Sequence, residues 1–218
     1  MPDSWNSPDK FNREASQWDE NPRRSELASV VAKAIIATTK PTKTMRALEF
    51  GCGTGLVTLE IAPLVSVISA IDTSQEMLAV LQEKIRRFGI TNIETRQIDL
   101  LASLQNGKQE ECFDLIYSSM TLHHISDTAE FLNRISSILA PGGMIAIADL
   151  DKEDGLFHDD PLEKVHHGFE REELAAMLHT AGFQRTMFET AHLLEKENRE
   201  RKRAVYPIFL VTALKAKS

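Results

Sequence analysis

The chain is short of cysteine, of aromatic side chains and of long apolar runs. Cys52 and Cys112 are its two cysteines, too few for a disulfide framework, so a reducing cytoplasm is the expected compartment. Crossing a bilayer takes roughly 20 apolar residues. The longest runs here, at 144–148 and 208–211, are only strand-sized. The opening MPDSWNSPDK has no basic stretch leading into an apolar core, and no signal peptide is expected. An excess of positive charge is missing too. The formal net charge is −7, whereas nucleic-acid binding leaves a basic footprint, so neither nucleic acid nor membrane is an expected partner. One basic cluster exists, Glu195 to Arg203 (EKENRERKR). It alternates with acids and reads as a solvated turn or helix end.

What is present describes an ordinary globular domain. The 218 residues are 42% hydrophobic and 26% charged, and a chain of this length buries about 70% of its unfolded surface. Short β-rich runs alternate with amphipathic stretches. A short helix is predicted over 11–19, and a longer one from Asn21-Pro22 to Thr39, with Asn as N-cap and Pro at its first position. Strands are predicted at Arg46–Phe50, Ser66–Ile71, Ile93–Ile98, Phe113–Ser118 and Met144–Leu150. Helices intervene, the second stopping at Gly89 and another running from Asp127 to Leu139. This alternation predicts an α/β fold with an open parallel sheet and helices on both faces. After a helix at Glu170–Ala181, the runs Phe183–Leu194 and Val205–Leu214 are predicted to form an antiparallel hairpin at the sheet edge. Residues 151–168 fit neither pattern. They read as a polar insertion over the carboxyl ends of the strands, where ligands bind in such sheets.

The first strand meets a glycine loop, Leu48 to Leu56 (LEFGCGTGL). Gly51, Gly53 and Gly55 fall one residue short of the G-x-G-x-x-G fingerprint of dinucleotide enzymes. The loop still permits a tight turn and close backbone approach to a ligand. Asp72 ends the second predicted strand, 21 residues after Gly51, and Asp99 ends the third. A carboxylate at the first position can accept both ribose hydroxyls, and one at the second can accept an adenine amine. Neither favours phosphate, and no basic residue lies in or near the loop in sequence. The ligand implied is an adenosine without phosphates.

At these residues the chain resembles a known family. ALEFGCGTG, AIDTSQEML, IDLL, FDLIYSSMTLHHI and LAPGGMIAIADL are similar to the successive motifs of class I S-adenosylmethionine-dependent methyltransferases. The variety is the small-molecule group that includes the ubiquinone and menaquinone methyltransferases. FNREASQWDENPRR is similar to that group's N-terminal segment. The resemblance implies a Rossmann-like seven-stranded sheet of order 3-2-1-4-5-7-6 with strand seven antiparallel. It implies an N-terminal helical lid at 1–40, a cofactor-binding core at 41–150, an acceptor-side insertion at 151–168 and a C-terminal helix and hairpin at 169–218, together one domain, monomeric or homodimeric. The cofactor implied is S-adenosyl-L-methionine, its product S-adenosyl-L-homocysteine. Glu49, Gly51 and Gly53 would hold its methionine end and Asp72 its ribose. Met77 would pack near the adenine, Asp99 and Leu100 would flank the adenine edge, Ser118 would contact the amino-acid end by its backbone, and Trp18 would lie in the lid. Two departures stand out. The asparagine-aspartate signature of quinone-ring enzymes is missing after strand five, and SSMT replaces the N/D-P-P-Y motif of amino-directed enzymes.

Methyl transfer from a sulfonium needs positioning, exclusion of water and, for a hydroxyl or thiol acceptor, a base near neutral pH. Histidine fits that role. His123, His124, His158, His166 and His167 cluster between strand four and the end of the insertion, and one of them is expected to serve as base or to orient the acceptor. His158, Asp159, Asp160, His166 and His167 offer metal-ligand atoms, but their spacing matches no ligand pattern, and no metal is expected. Cys52 reads as a packing residue. The expected activity is methyl transfer to oxygen, sulfur or carbon of a small molecule. Two alternatives stay open: a non-catalytic S-adenosylmethionine- or S-adenosylhomocysteine-binding protein on the same fold, and a nicotinamide oxidoreductase, which the loop spacing disfavours.

Overall fold

The computed structural model describes residues 8–99 and 112–217. In chain order the elements are α1 (Asp9–Glu14), which tightens into a 3₁₀ turn (Ala15–Glu20), α2 (Pro22–Thr39), β1 (Arg46–Phe50), α3 (Leu56–Ile61), β2 (Val67–Asp72), α4 (Gln75–Phe88), β3 (Ile93–Gln97), β4 (Phe113–Ser119), α5 (Thr128–Ile138), β5 (Leu139–Leu150), α6 (Arg171–Thr180), β6 (Phe183–Glu197) and β7 (Arg203–Lys215). The strands form one seven-stranded sheet in the order β3-β2-β1-β4-β5-β7-β6. β1 to β5 pair in parallel, and β7 runs antiparallel to β5 and β6.

Local signals set the helix ends. The Asn21 side chain accepts from the Arg23 amide at 3.1 Å, and Pro22 occupies the first turn, where its missing N–H costs nothing. Ser74 caps α4 by accepting from the Met77 amide at 3.2 Å. Asp127 caps α5 through the Glu130 amide at 2.9 Å. Gly89 ends α4 in the left-handed conformation.

The strands read as continuous apolar runs because both sheet faces are covered. Alternate residues go to opposite sides. Ala47, Leu115, Ala146, Ile208 and Leu210 join α2, α3 and α4 in one core. Leu48, Ile116, Ile145, Ile147, Phe209 and Val211 join α5 and α6 in the other. One expectation shifts here. β5 begins at Leu139 rather than Met144, because Pro141-Gly142-Gly143 forms a register irregularity opposite Phe113 and Leu115 instead of a separate turn.

The segment after β5 folds back on the sheet. The Phe169 amide donates to the Leu150 carbonyl at 3.0 Å, and the Lys152 amide to the Phe169 carbonyl at 3.1 Å. Arg171 clasps the Asp151 carboxylate with two bonds of 2.7 and 2.6 Å. Between these anchors the His166 amide donates to the His123 carbonyl at 2.8 Å. The insertion is thereby stitched to the 3₁₀ turn that follows β4 (Leu122–His124). Phe209 is fully buried at the middle of β7. Phe209→Ala is expected to cost about 3–5 kcal/mol, and Leu162→Ala, at a site 80% exposed, less than about 0.5 kcal/mol, both read from urea denaturation.

Candidate functional site

The carboxyl ends of β1 to β4 open into a cavity whose wall is built from the glycine loop, Asp72, Met77, Asp99 and the segment Ser119–Thr121, with Phe11 and Trp18 of the N-terminal segment over it. Each glycine of the loop has positive φ, and two of them are required for different reasons. A Cβ at Gly51 would collide with the Thr121 side chain, whereas one at Gly53 would meet nothing within 4 Å. Gly51 thus lets two loops close on each other, while Gly53 leaves an open backbone surface for a ligand.

Asp72 ties this loop to β2. Its Oδ2 accepts from the Gly53 amide and its Oδ1 from the Ser74 amide, both at 2.8 Å. Burial raises its pKa, and these amide bonds pull it back. A carboxylate has lone pairs beyond these two bonds, so it can still accept ligand hydroxyls. Beneath the loop Glu49 is 2% exposed and accepts the Thr58 hydroxyl at 2.6 Å. Burial, with the Asp72 charge adding to it, lifts its pKa from 4.5 to about 8 against the hydrogen bonding from Thr58 and Tyr117. The Tyr117 hydroxyl nonetheless has no partner at full hydrogen-bond geometry. Its proximity lowers the Glu49 pKa without a settled bond. Cys52 is buried in the core, and burial together with the charges of Asp72 and Glu49 pushes its thiol well above 9.0, which removes it as a nucleophile.

The remaining residues named from the sequence divide. Met77 is 1% exposed and borders the cavity. Trp18 borders it under the Arg24 guanidinium, 3.6 Å from the ring centroid. Asp99 also borders it, and Leu100 lies outside the described residues. β4 runs one residue further than expected, and strand alternation buries the Ser118 side chain and brings Ser119 to the wall, while the contact expected of Ser118 is through its backbone. Basic groups do approach the loop, contrary to the sequence expectation. Lys84 donates to the Thr54 carbonyl at 2.8 Å and pairs with Asp19, which also accepts the Thr54 hydroxyl at 2.6 Å. Arg24 pairs with Glu14 at 2.7 Å. Both charges are neutralised within the fold.

A second cavity adjoins the first and shares Phe11, Trp18, Arg24, Leu27, Met120 and His124 with it. Met120, with φ 56, holds a strained left-handed backbone at the shared wall. Three histidines converge here. The rings of His123 and His124 lie 4.2 Å apart, and His158 lies 5.1 Å from His123 and 5.7 Å from His124. His123 Nδ1 donates to buried Asp149 at 2.7 Å, which leaves Nε2 as its accepting nitrogen. His158 Nδ1 faces Glu163 at 3.3 Å, and its Nε2 is buried without a partner. Burial raises the Glu163 pKa, but hydrogen bonds and charge from His158 and Lys10 outweigh it and hold the group at about 2. Burial lowers the pKa of His158, and lowers that of His124 well below 6.5, with His123, His158 and Lys10 adding to the effect. These two rings are therefore neutral at pH 7 and able to accept a proton.

His166 and His167 lie elsewhere. His166 Nε2 is bonded to the Ile125 carbonyl at 2.9 Å, and half-exposed His167 pairs with Glu153 at 3.3 Å. The insertion's fold-back points them away from both cavities. Among the described residues no group of three or more His, Cys, Asp or Glu side chains is arranged to hold a metal. Sequence reasoning missed Asp149, Phe11, Met120 and the Asp19–Thr54–Lys84 latch. Only the acid at the end of strand five gave a signal for the first, and nothing local pointed to the others. The turn EKENRERKR was expected to be solvated. It joins β6 to β7, and Lys196, Arg201 and Arg203 border the second cavity.

A doubly wound sheet with a cavity lined by Asp72 and Asp99 at its carboxyl ends defines a ligand-binding class of α/β protein. Residues 41–207 match the family model described as a methyltransferase domain, and the chain belongs to that family. It is 36% identical over 135 residues to an uncharacterized methyltransferase of Schizosaccharomyces pombe, spanning 57% of this chain and 48% of that one. It is 29% identical over 112 residues to a ubiquinone biosynthesis O-methyltransferase of a Caulobacter species, spanning 51% and 43%. The chain thus spans about half the length of these curated relatives. Among solved structures, DhpI with S-adenosylhomocysteine superposes with a TM-score of 0.71 at 22% identity, covering 95% of this chain and 94% of that one. The N-methyltransferase NodS of Bradyrhizobium japonicum, also with S-adenosylhomocysteine, gives 0.68 at 18%, covering 96% and 98%. Among the described residues no helix is long and apolar enough to cross a membrane.

Glu49 yields a stability prediction. In the folded chain it stays protonated up to about pH 8, while in the unfolded chain it ionises above 4.5. The folded state therefore holds the extra proton in this window, and stability falls as pH rises through it. His124 and His158 act oppositely below 6.5, since their folded pKa values are lowered. Glu49→Gln is expected to flatten the decline between about pH 6.5 and pH 8, measured as the urea midpoint of variant and parent at each pH.

Proposed function

We propose that the chain binds S-adenosyl-L-methionine in the first cavity and transfers its methyl group to an oxygen, sulfur or carbon nucleophile of a small molecule in the second. The observation that carries this reading is the junction of the two cavities. A loop open at Gly53 and flanked by Asp72 and Asp99 meets, across Met120 and His124, a chamber walled by neutral histidines. The donor set suits the cofactor. Asp72 would hold the ribose, Met77 and Ile98 would border the adenine, and Glu49 with the glycine loop would face the methionine end. Arg24 and Lys84 are both paired inside the protein, so among the described residues no free cation borders the loop to call for a phosphate.

When bound, the cofactor supplies an activated methyl for in-line displacement, so the chain's own work is positioning and proton removal. Phe11 and Trp18 exclude water from above. Asp149 holds His123 in one tautomer with Nε2 free, and Glu163 does the same for His158. Either ring, or His124 beside His123, accepts the acceptor's proton. His166 and His167 have no part in this.

Calorimetric titration with S-adenosylmethionine and S-adenosylhomocysteine is expected to show saturable binding. Asp72→Ala should weaken it about tenfold or more, for loss of a charge-assisted bond. A labelled-methyl screen of phenols, thiols and quinols is expected to find turnover, and histidine-to-glutamine variants at 123, 124 and 158 should include one that lowers kcat about 10²-fold or more with cofactor affinity intact. The acid limb of the rate profile should lie below pH 6.5, because burial lowers the pKa of His124 and His158. Full rate in all three variants would remove the histidine base, and binding without turnover on the whole panel would turn the reading to a non-catalytic binding protein.

A further inference from the structure

The outer part of the second cavity carries a charge pattern that runs against the chain as a whole. Lys10, Arg23, Arg24, Lys196, Arg201 and Arg203 border it, against the three carboxylates Asp159, Glu195 and Glu197, in a protein of net charge −7. Three of the six cations are already engaged. Lys10 is paired with Glu163 at 2.8 Å, Arg24 with Glu14 at 2.7 Å, and Lys196 donates to the Phe157 carbonyl at 2.5 Å with its ammonium 4.5 Å from the Phe157 ring centre. Arg23, Arg201 and Arg203 make no ion pair among the described residues. The carboxylates of Glu195 and Glu197 stand on exposed positions of β6 and do not reach them within ion-pair distance. Two remote elements, the first turn of α2 and the β6–β7 turn, thus present unpaired guanidinium groups to one mouth.

A second observation lies at the inner end of the same chamber. His158 is 9% exposed, its Nδ1 is taken by Glu163, and its Nε2 has no partner. A buried acceptor nitrogen left unsatisfied costs stability unless a ligand group meets it. The chamber therefore offers a hydrogen-bond acceptor inside, beside the wall shared with the first cavity, and exposed guanidinium groups outside. Guanidinium forks match the planar oxygens of carboxylate and phosphate.

From this we infer that the methyl acceptor is a small molecule with two functional ends: a hydroxyl or thiol directed at the histidines and a carboxylate or phosphate held by Arg23, Arg201 and Arg203. The inference rests on the methyltransferase reading of the first cavity. Lowering of the Lys196 pKa by burial, and then by Arg23 and Lys10 against the opposing pull of Asp159 and Glu153, agrees with a cationic mouth. The arrangement also steers anions toward the chamber in an otherwise acidic protein.

The test is calorimetry on the full chain saturated with S-adenosylhomocysteine at low salt. Benzoate and phenyl phosphate serve as anionic probes, benzamide and benzyl alcohol as neutral ones. Both or one of the anions should bind saturably, with the preferred anion identifying carboxylate or phosphate, and the neutral probes should bind about tenfold more weakly or worse. The combined Arg23→Ala, Arg201→Ala and Arg203→Ala variant should lose the anion preference while keeping its S-adenosylhomocysteine affinity and its urea midpoint. Equal binding of neutral and anionic probes, no binding of either anion, or an unchanged preference in the variant would each overturn the inference and leave the cofactor reading standing. Failure of S-adenosylhomocysteine to bind at the outset would overturn both.

Discussion

The bond from the Gly53 amide to Asp72 Oδ2, 2.8 Å long, is the constraint around which the rest is arranged. It joins the turn leaving β1 to the end of β2, and it requires a backbone with positive φ that an L side chain adopts only under strain. The same carboxylate orders the start of α4 through the Ser74 amide. Ser74 in turn caps α4 and donates to the Asn12 side chain of the N-terminal segment at 2.6 Å. One half-buried acid therefore ties together the glycine loop, the helix behind it and part of the cover above it. A cavity at this point is the geometric residue of a parallel sheet whose neighbouring strands diverge toward helices on opposite faces.

Three further attachments hold the cover and the insertion over that cavity. Asp19 is bound to Thr54 and Lys84, Lys10 to Glu163, and the His166 amide to the His123 carbonyl. Each is a modest surface or half-buried interaction taken singly. Together they bring the N-terminal segment, the glycine loop, the turn after β4 and the insertion into one wall. Glu163 serves both sides of it, pairing with Lys10 while it orients His158. The cover and a histidine thus share a single carboxylate.

Electrostatics divide the two cavities. The first is lined by Glu49 and Asp72, whose pKa burial raises, and by Asp99, with Arg24 and Lys84 internally paired. The second is lined by His124 and His158, whose pKa burial lowers, and by six cations. The division follows from where the strands end: the acids stand at the tips of β1, β2 and β3, and the arginines come from α2 and from the far hairpin.

Much of the fold was legible in the linear chain because its signals are local. Asn21-Pro22, Ser74, Gly89 and Asp127 mark helix ends by chemistry that acts within four residues, and apolar runs of strand length mark a sheet covered on both faces. The glycine loop, Asp72 and Asp99 were legible for the same reason, since each sits at the end of a strand whose boundary can be read. The end of β4 was read one residue short, at Ser118 rather than Ser119. The five histidines could not be sorted at all. Tertiary structure alone decided that 123, 124 and 158 meet, that 166 and 167 are turned to other partners, and that Asp149 and Glu163 stand behind two of them. It also decided that a turn composed like solvated surface faces a cavity. Those outcomes depend on contacts between residues tens of positions apart, and the position of a loop relative to a distant hairpin is set by packing and hydrogen bonds that leave no period in the sequence.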